Sequence, residues 1–412
     1  MKNGQSPSVE PALTGLRAIP RSIWALGLVS LFMDTSSELI HSLLPVFLVS
    51  VLGASMVSVG LIEGIAEATA SITKIFSGTL SDYLGKRKLL TVIGYGVAAI
   101  TKPLFPLAGS AGLVFTARFI DRIGKGIRGA PRDALIGDIA PPHIRGASYG
   151  LRQSLDTVGA FAGPLLAVAF MALLANDIRA VFWVATIPAF VAVAILIFGV
   201  KEPESGPAAG RIRSPIRLAE VLRVDAAYWW LVLVAAVLGL ARFSEAFLIL
   251  RAEDVGLAIK FVPLVMVVMN IVYALSAYPA GALSDRMDRR GIIGIGCAAL
   301  IVADVILALA SGIWAVTAGV VFWGLHMGLT QGLLAAMVAD TTPPELRGTA
   351  FGIFNLVSGI AMLFASLIAG LLWDQYGPAA TFFGGAGLTM VALAGLFFAV
   401  RGSPQKKRRP VG

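Results

Sequence analysis

Cysteine is almost absent from this chain of 412 residues: Cys297 stands alone, which excludes an intrachain disulfide and any cysteine-rich metal site. It reads as a small buried apolar side chain. Charge is scarce as well, with Asp, Glu, Lys and Arg forming 14% of the residues against roughly 25% in an ordinary soluble domain. Histidine occurs three times, and no cluster of His and carboxylates has metal-ligand spacing. There is no G-x-x-x-x-G-K-S/T loop; Gly124-Lys125-Gly126 lacks both the preceding strand and the following Ser or Thr that phosphate binding needs. The sequence therefore predicts no enzyme, no catalytic residues, no metal and no cofactor. The alternation of apolar and polar residues in runs of about ten that marks a membrane β-barrel is missing too.

What the chain does contain is apolar sequence. Hydrophobic residues make up 57% and the mean hydropathy is +0.83, a composition incompatible with solution in water. Crossing the hydrocarbon takes roughly 20 apolar residues as a helix, and a helix satisfies every backbone N–H and C=O within the segment. Stretches of that length follow one another from Ile23 to Val400. They predict twelve spans near 23–51, 57–80, 89–108, 111–133, 147–174, 179–200, 228–250, 261–283, 292–311, 313–338, 348–372 and 378–400. The first twenty residues are polar, with no short apolar core and small-residue cleavage site, so the first span is expected to act as an uncleaved insertion signal.

A net charge of +9 would suit nucleic acid, but its placement does not. The connections after even-numbered helices and before odd-numbered ones hold thirteen Lys or Arg, among them Lys86, Arg87, Lys88, Arg145, Arg286, Arg289, Arg290 and Arg347. The opposite connections hold three, Arg179, Arg251 and Lys260. By the positive-inside rule this predicts a multi-pass protein of the inner (cytoplasmic) membrane with both termini in the cytoplasm. The tail Lys406, Lys407, Arg408 and Arg409 suits anionic headgroups. The expected partners are the lipid bilayer, a small-molecule substrate and protons, with no nucleic acid, and the expected unit is a monomer.

The chain also repeats itself. Residues 134–150 read ALIGDIAPPHIRGASYG and residues 336–352 read AMVADTTPPELRGTAFG, one pattern displaced by 202 positions. GTLSDYLGKR at 78–87 and GALSDRMDRR at 281–290 form a second pair at nearly the same displacement. Two matches near half the chain length point to duplication of six spans. The predicted organisation is a cytoplasmic segment 1–22, a six-helix bundle 23–200, a cytoplasmic linker 201–227 rich in Pro, Gly, Ser and Arg, a second bundle 228–400 and a basic tail 401–412.

These residues carry a resemblance to the major facilitator superfamily over nearly the whole chain. Gly78, Leu80, Asp82, Gly85, Lys86 and Arg87 resemble its G-x-L-x-D-R-x-G-R-R signature, with Tyr83 departing from it. Gly281, Leu283, Asp285, Arg286, Arg289 and Arg290 form the second copy, in which Asp288 replaces the second glycine. Glycine at Gly78 and Gly281 permits close helix approach. An aspartate at a helix end accepts backbone N–H bonds and pairs with adjacent bases, so the motif reads as a clasp joining the two halves in one state and releasing them in another. Gly159, Gly163 and Pro164 in span 5, in the order G-x-x-x-G-P, resemble the antiporter signature of the superfamily's drug and metabolite exporters. The resemblance implies an all-α membrane fold of twelve helices in two pseudo-symmetric six-helix bundles, working by alternating access.

Ionisable residues within spans are expensive and are functional candidates by default. Asp34, Glu38 and His41 lie at i, i+4 and i+7 of span 1, on one helical face; Glu63, Glu67 and Lys74 follow in span 2, and Arg242 and Glu245 in span 7. Low-dielectric surroundings favour the neutral form of a carboxyl, so Asp34 and Glu38 lead the proton-coupling candidates, with Glu63, Glu67 and Glu245 beside them. Span 4 carries Arg118, Arg122, Lys125, Arg128 and Arg132 at offsets of 0, 4, 7, 10 and 14, a cationic stripe. Arg118 matches the arginine of the superfamily's R-x-x-Q-G signature by spacing, but Asp121 and Arg122 stand where Gln and Gly are usual. Arg118 and Arg122 either pair with Asp121, Glu63 or Glu67 or face a central cavity; Arg128 and Arg132 are expected to snorkel to headgroups. Arg152 and Asp156 in span 5 have the spacing of a pair within one helix. His41, Arg118, Arg122, Arg152, Asp156, Arg242, Asn270, Tyr273, His326, Gln331 and Asn355 are the cavity candidates, although a lone His such as His326 is commonly a packing residue. Asp304 in span 9 is expected to be peripheral. Two functions fit: a proton-coupled exporter of a small drug or metabolite, and an importer or exchanger of a small organic anion such as a phosphate or carboxylate compound. A membrane sensor or assembly factor has no support, because the loops are short.

Overall fold

Among the residues described by the computed structural model (19–84, 86–202, 225–284, 287–343 and 346–398), twelve long helices carry the fold. In chain order they are α1 Arg21–Val51, α2 Met56–Leu84, α3 Arg87–Leu107, α4 Ala111–Ile139, α5 Arg145–Leu173, α6 Ile178–Gly199, α7 Ala226–Asp254, α8 Ile259–Ser284, α9 Arg289–Leu309, α10 Ile313–Thr341, α11 Arg347–Tyr376 and α12 Pro378–Phe398. Gly85, Asp285 and Arg286, the side chains of Gly78 and Asp82, nearly all of the 201–227 linker and the 401–412 tail lie outside the described residues. Helix starts are fixed by short polar side chains: Ser110 accepts from the Leu113 N–H, Asp177 from Arg179 and Ala180, Asp225 from Ala227 and Asp288 from Arg290. Each satisfies N–H groups that the first turn leaves without intrahelical partners.

Eleven of these helices are long and apolar enough to cross a membrane. The exception is α4, whose charges are tolerable only because other helices cover them. It also runs to Ile139, beyond the 133 expected from hydropathy, because Leu135 and Ile136 in its last turns are buried in the core of the first half. Three of the spans expected to be continuous, the first, the third and the seventh, are broken; in α3 the regular helix stops at Thr101 and resumes at Leu104. In α1 the regular helix stops at His41 and resumes at Leu44, continuing as a π-turn over Phe47–Val51. In α7 it stops at Ala241 and resumes at Ala246.

The packing repeats with the sequence. In the first half α1 lies against α5 and α6, and α4 against α2 and α3; in the second, α7 lies against α11 and α12, and α10 against α8 and α9. The halves meet along α2–α11 and α5–α8, contacts that exchange under the same pseudo-twofold relation. Backbones touch closely across α2–α11. A Cβ added at Gly64 would stand 2.9 Å from the Leu363 Cα, and at Gly359 it would stand 3.0 Å from the Ser71 Cβ, which is the close approach that small residues allow. At the end opposite the basic connections Asp374 accepts from the Met56 and Val57 N–H groups, both at 3.0 Å, and Ser50 donates to Glu253 at 2.5 Å. Gly281 does not mark a tight crossing: a Cβ there would meet nothing within 4 Å among the described residues.

Candidate functional site

The interior of the first half is a network of ion pairs built on the α4 stripe. Helical spacing puts Arg118, Arg122, Lys125, Arg128 and Arg132 toward α1, α2 and α5, whose own acids recur one turn apart. Arg118 Nη2 meets Glu63 Oε2 at 2.7 Å and Arg122 meets Glu67 at 3.4 Å. Arg128 stands 3.8 Å from Asp34 and lies over the Tyr95 ring, 4.5 Å from its centroid. Arg132 donates to Ser30 and to the Tyr95 hydroxyl, both at 3.1 Å, and to Asp133 at 3.2 Å. Arg152 and Asp156 pair within α5 at 3.8 Å, as their spacing predicts, and Asp133 and Arg132 join them at 4.0 Å. His41 bridges two acids, with Nδ1 3.4 Å from Glu38 and Nε2 3.5 Å from Glu63.

Two expectations are corrected here. Arg128 and Arg132 do not snorkel to headgroups; they are 5% and 8% exposed, because carboxylates and the Tyr95 ring inside the bundle hold them more strongly than distant headgroups would. Arg118 and Arg122 take the paired alternative and are buried, so neither guanidinium forms an open cavity wall. The departure at Asp121 has a partner that hydropathy hid: Lys102, buried at the interruption of α3 after Thr101, donates to Asp121 at 2.9 Å and to Ser37 at 3.0 Å. Its signal was a lysine inside an apolar span. Tyr95, Ser30 and Asp133 gave no signal, since their role depends on which helices meet.

Burial sorts the network into front and back. The arginines of α4 sit behind, whereas the side chains of Asp34, Glu38 and Glu67 remain 24%, 22% and 35% exposed. Lys125 is exposed and makes no ion pair among the described residues. A cleft between the halves is lined by Ser71, Lys74, Ile75 and Ala130 from the first and by Phe351, Gly352 and Asn355 from the second. Gly159 and Gly163 pack on the acidic face of α1: a Cβ at Gly159 would lie 3.2 Å from the Asp34 Cβ, and at Gly163 it would lie 2.7 Å from the Glu38 Cβ. Pro164 is buried beside them.

In the second half Arg242 and Glu245 flank the break in α7 and are partly exposed, as are Asn270, Tyr273, Gln331 and Asn355. His326 departs from the cavity set. It is fully buried, and its Nδ1–H donates to the Gly296 carbonyl at 2.8 Å, the packing role a lone apolar-face histidine commonly has. Asp304, on α9, is completely buried. Cys297 is buried as expected. The clasp residues pair inside their own halves: Arg87 donates to Asp138 at 2.5 Å and to the Ala134 carbonyl at 3.0 Å, and Arg289 pairs with Asp340. Both pairs keep the 202-residue displacement, so they occupy equivalent places in the two halves. Lys86 is exposed.

Comparison with known proteins agrees with this architecture. The sequence profile of the Major Facilitator Superfamily matches residues 26–251 and 245–412. An uncharacterized MFS-type transporter of Methanocaldococcus jannaschii is 32% identical over 91% of this chain and 94% of its own length. Inner membrane transport protein YajR of Escherichia coli is 24% identical over 90% of this chain and 82% of its own, and Quinolone resistance protein NorA of Staphylococcus aureus 24% identical over 82% and 86%. Among solved structures, nucleoside transporter NupG superposes with a TM-score of 0.73 at 13% identity, covering 93% of this chain and 100% of that one.

Proposed function

The chain belongs to the Major Facilitator Superfamily and is a multi-pass membrane transporter rather than an enzyme, and on that premise we propose that it is a proton-coupled exporter of a small drug or metabolite, working by alternating access. The observation that carries this reading is the layering of the first half. Asp34, Glu38 and Glu67 stand in front, reachable by water and solute, and α4 guanidiniums stand behind them. The acids of α1, α2, α4 and α5 are held by bases of α3, α4 and α5 and by His41. Adding a proton to a front acid removes one negative charge from these contacts, and a change of charge in low dielectric is a strong conformational bias. His41, touching both Glu38 and Glu63, gives that change a route from α1 to α2 and on to Arg118. The amides Asn270, Gln331 and Asn355 with Tyr273 supply an uncharged second wall suited to a mixed polar and aromatic solute.

The glycine face of α5 supports the exporter direction by its likeness to the antiporter signature, and NorA is named for quinolone resistance. In this reading the basic connections and both termini are cytoplasmic in the inner membrane, one chain suffices, and the Arg87 and Arg289 pairs brace each half as the gate moves. A second reading, an importer or exchanger of a small organic anion, rests on Lys74, Lys125 and Arg242, cations of the interior that make no ion pair among the described residues. Comparing metabolites of deletion and overexpressing cells identifies the solute; inside-out vesicles with an imposed proton gradient then test its movement. Movement that survives both Asp34→Asn and Glu38→Gln ends the proton reading, and loss of binding on Lys125→Gln with the gradient irrelevant establishes the anion reading instead.

A further inference from the structure

The second half holds a buried acid for which the mechanism above has no use. We propose that Asp304 takes up one unit of positive charge, as a proton or an alkali cation, at the place where the first half keeps Lys102 and Asp121 as a permanent ion pair. The 202-residue displacement that relates Arg87 to Arg289 and Asp138 to Asp340 also relates Lys102 to Asp304 and Asp121 to Trp323. Duplication thus left a lysine paired with an aspartate in one half and an aspartate and an indole at the corresponding positions of the other.

The first pair is satisfied, with Lys102 Nζ 2.9 Å from Asp121 Oδ1. The second is not. Asp304 and Trp323 are both 0% exposed, and neither Asp304 oxygen nor Trp323 Nε1 has a hydrogen-bond partner among the described residues. The carboxyl sits where α9, α12 and the break in α7 converge. A Cβ built on Gly385 would stand 2.7 Å from Asp304 Oδ2, 3.1 Å from Phe243 Cε1 and 3.3 Å from the Ala241 carbonyl oxygen. Gly385 is therefore the residue whose small size admits the carboxyl. Ala241 is the last residue of the first helical segment of α7, where backbone carbonyls lose their intrahelical partners. Interrupted helices of this kind present such carbonyls to coupling cations in transporters. Phe243, within the break, packs on Trp323 and Phe382 at centroid distances of 5.3 and 5.5 Å, so the surroundings are aromatic.

No described residue nearby neutralises the acid. Helix α12 has no ionisable side chain. On α10, Asp340 is held by Arg289 and His326 by the Gly296 carbonyl; α8 offers Lys260, Tyr273 and Tyr278. On α7, Arg251 is engaged by Asp254 and by the Leu307 and Ala310 carbonyls, and Glu253 by Ser50. Tyr228 donates to the Ala350 carbonyl, and Arg242 and Glu245 make no ion pair with Asp304. An isolated carboxylate in such a place is among the costliest arrangements a protein can hold. A bound proton or small cation removes that cost and, because the site touches the α7 break, links its occupancy to the shape of the second half.

Infrared spectra of the full-length protein in detergent test this. If the ligand is a proton, the wild type shows a protonated-carboxyl stretch that shifts in D2O and is absent from Asp304→Asn. Gly385→Ala, which presses on Oδ2, and Asp304→Glu each move that band. If the ligand is an alkali cation, NaCl or LiCl raises the melting temperature by several degrees over choline chloride at equal ionic strength, in wild type and not in Asp304→Asn. A wild type with neither an Asp304-dependent band nor an Asp304-dependent salt shift overturns the proposal. Should Asp304→Asn fail to fold, a band unmoved by both Gly385→Ala and Asp304→Glu, together with equal melting in sodium, lithium and choline salts, overturns it as well.

Discussion

Gly163 of α5 rests directly on Glu38 of α1: a Cβ at the glycine would come 2.7 Å from the Glu38 Cβ and 2.8 Å from the Thr35 carbonyl oxygen. The antiporter-like motif and the leading coupling acid are two sides of one helix contact. Gly163→Ala should therefore cost about 1–3 kcal/mol through overpacking and reduce transport. Gly96→Ala, where a Cβ meets nothing, should be neutral or slightly stabilising, since alanine is the better helix former. Thermal unfolding of the two variants in detergent, side by side, checks this; equal melting temperatures would refute it.

Glu63 and Arg118 are 1% and 3% exposed as side chains and 2.7 Å apart. Breaking a buried pair by removing one partner costs about 3–5 kcal/mol, whereas replacing both with apolar residues can be nearly neutral. Glu63→Leu and Arg118→Met should each lower stability strongly, and the double variant Glu63→Leu with Arg118→Met should recover most of the loss. A double-mutant cycle without coupling would show that the pair is incidental.

The seal at the end opposite the basic connections depends on carboxylates of the second half accepting donors from the first, at Asp374 and Glu253. Asp374→Asn with Glu253→Gln should shift the population toward a form open at that end. Because Cys297 is the sole cysteine, Cys297→Ala gives a cysteine-free background in one step. A single cysteine introduced at Leu363, whose side chain lies against Gly64 at the α2–α11 contact, should react several-fold faster with a water-soluble maleimide in the double variant. Unchanged labelling would mean that packing alone holds the seal.

Arg128 is placed by two contacts, the Asp34 carboxylate and the Tyr95 face. Cation–π contacts contribute about 0.5–2 kcal/mol, and arginine stacks where lysine does not. Tyr95→Leu should loosen Arg128 and Arg132 together, since Arg132 donates to the same hydroxyl, and should slow gradient-driven transport more than Tyr95→Phe. If Tyr95→Phe is as damaging as Tyr95→Leu, the hydroxyl bond and not the ring face is what counts.

Membrane insertion, the duplication and the twelve helices were legible in the sequence because each is a property of local composition or of one displacement. Hydropathy counts residues along a single chain segment, and the repeat of Asp138 at Asp340 is visible by alignment. The α4 stripe was legible too, since charges at helical spacing need only a helix. What stayed hidden were the partners. Arg128 and Arg132 looked like snorkelling residues because a single helix offers headgroups and nothing else; the tertiary structure brings Asp34, Tyr95 and Asp156 within reach and reverses the outcome. The breaks at Ser42–Leu43 and Arg242–Glu245 escaped because unwinding a span requires side chains from other helices to satisfy the freed backbone, as Ser366 does for the Ser244 N–H at 3.2 Å. Sequence by itself determined that ionisable groups lie inside the bilayer. Only tertiary structure decided which of them are neutralised by a neighbour, which face water, and which, like Asp304, are left alone, because in a low-dielectric interior the energy of a charge is set by what stands within a few ångströms of it.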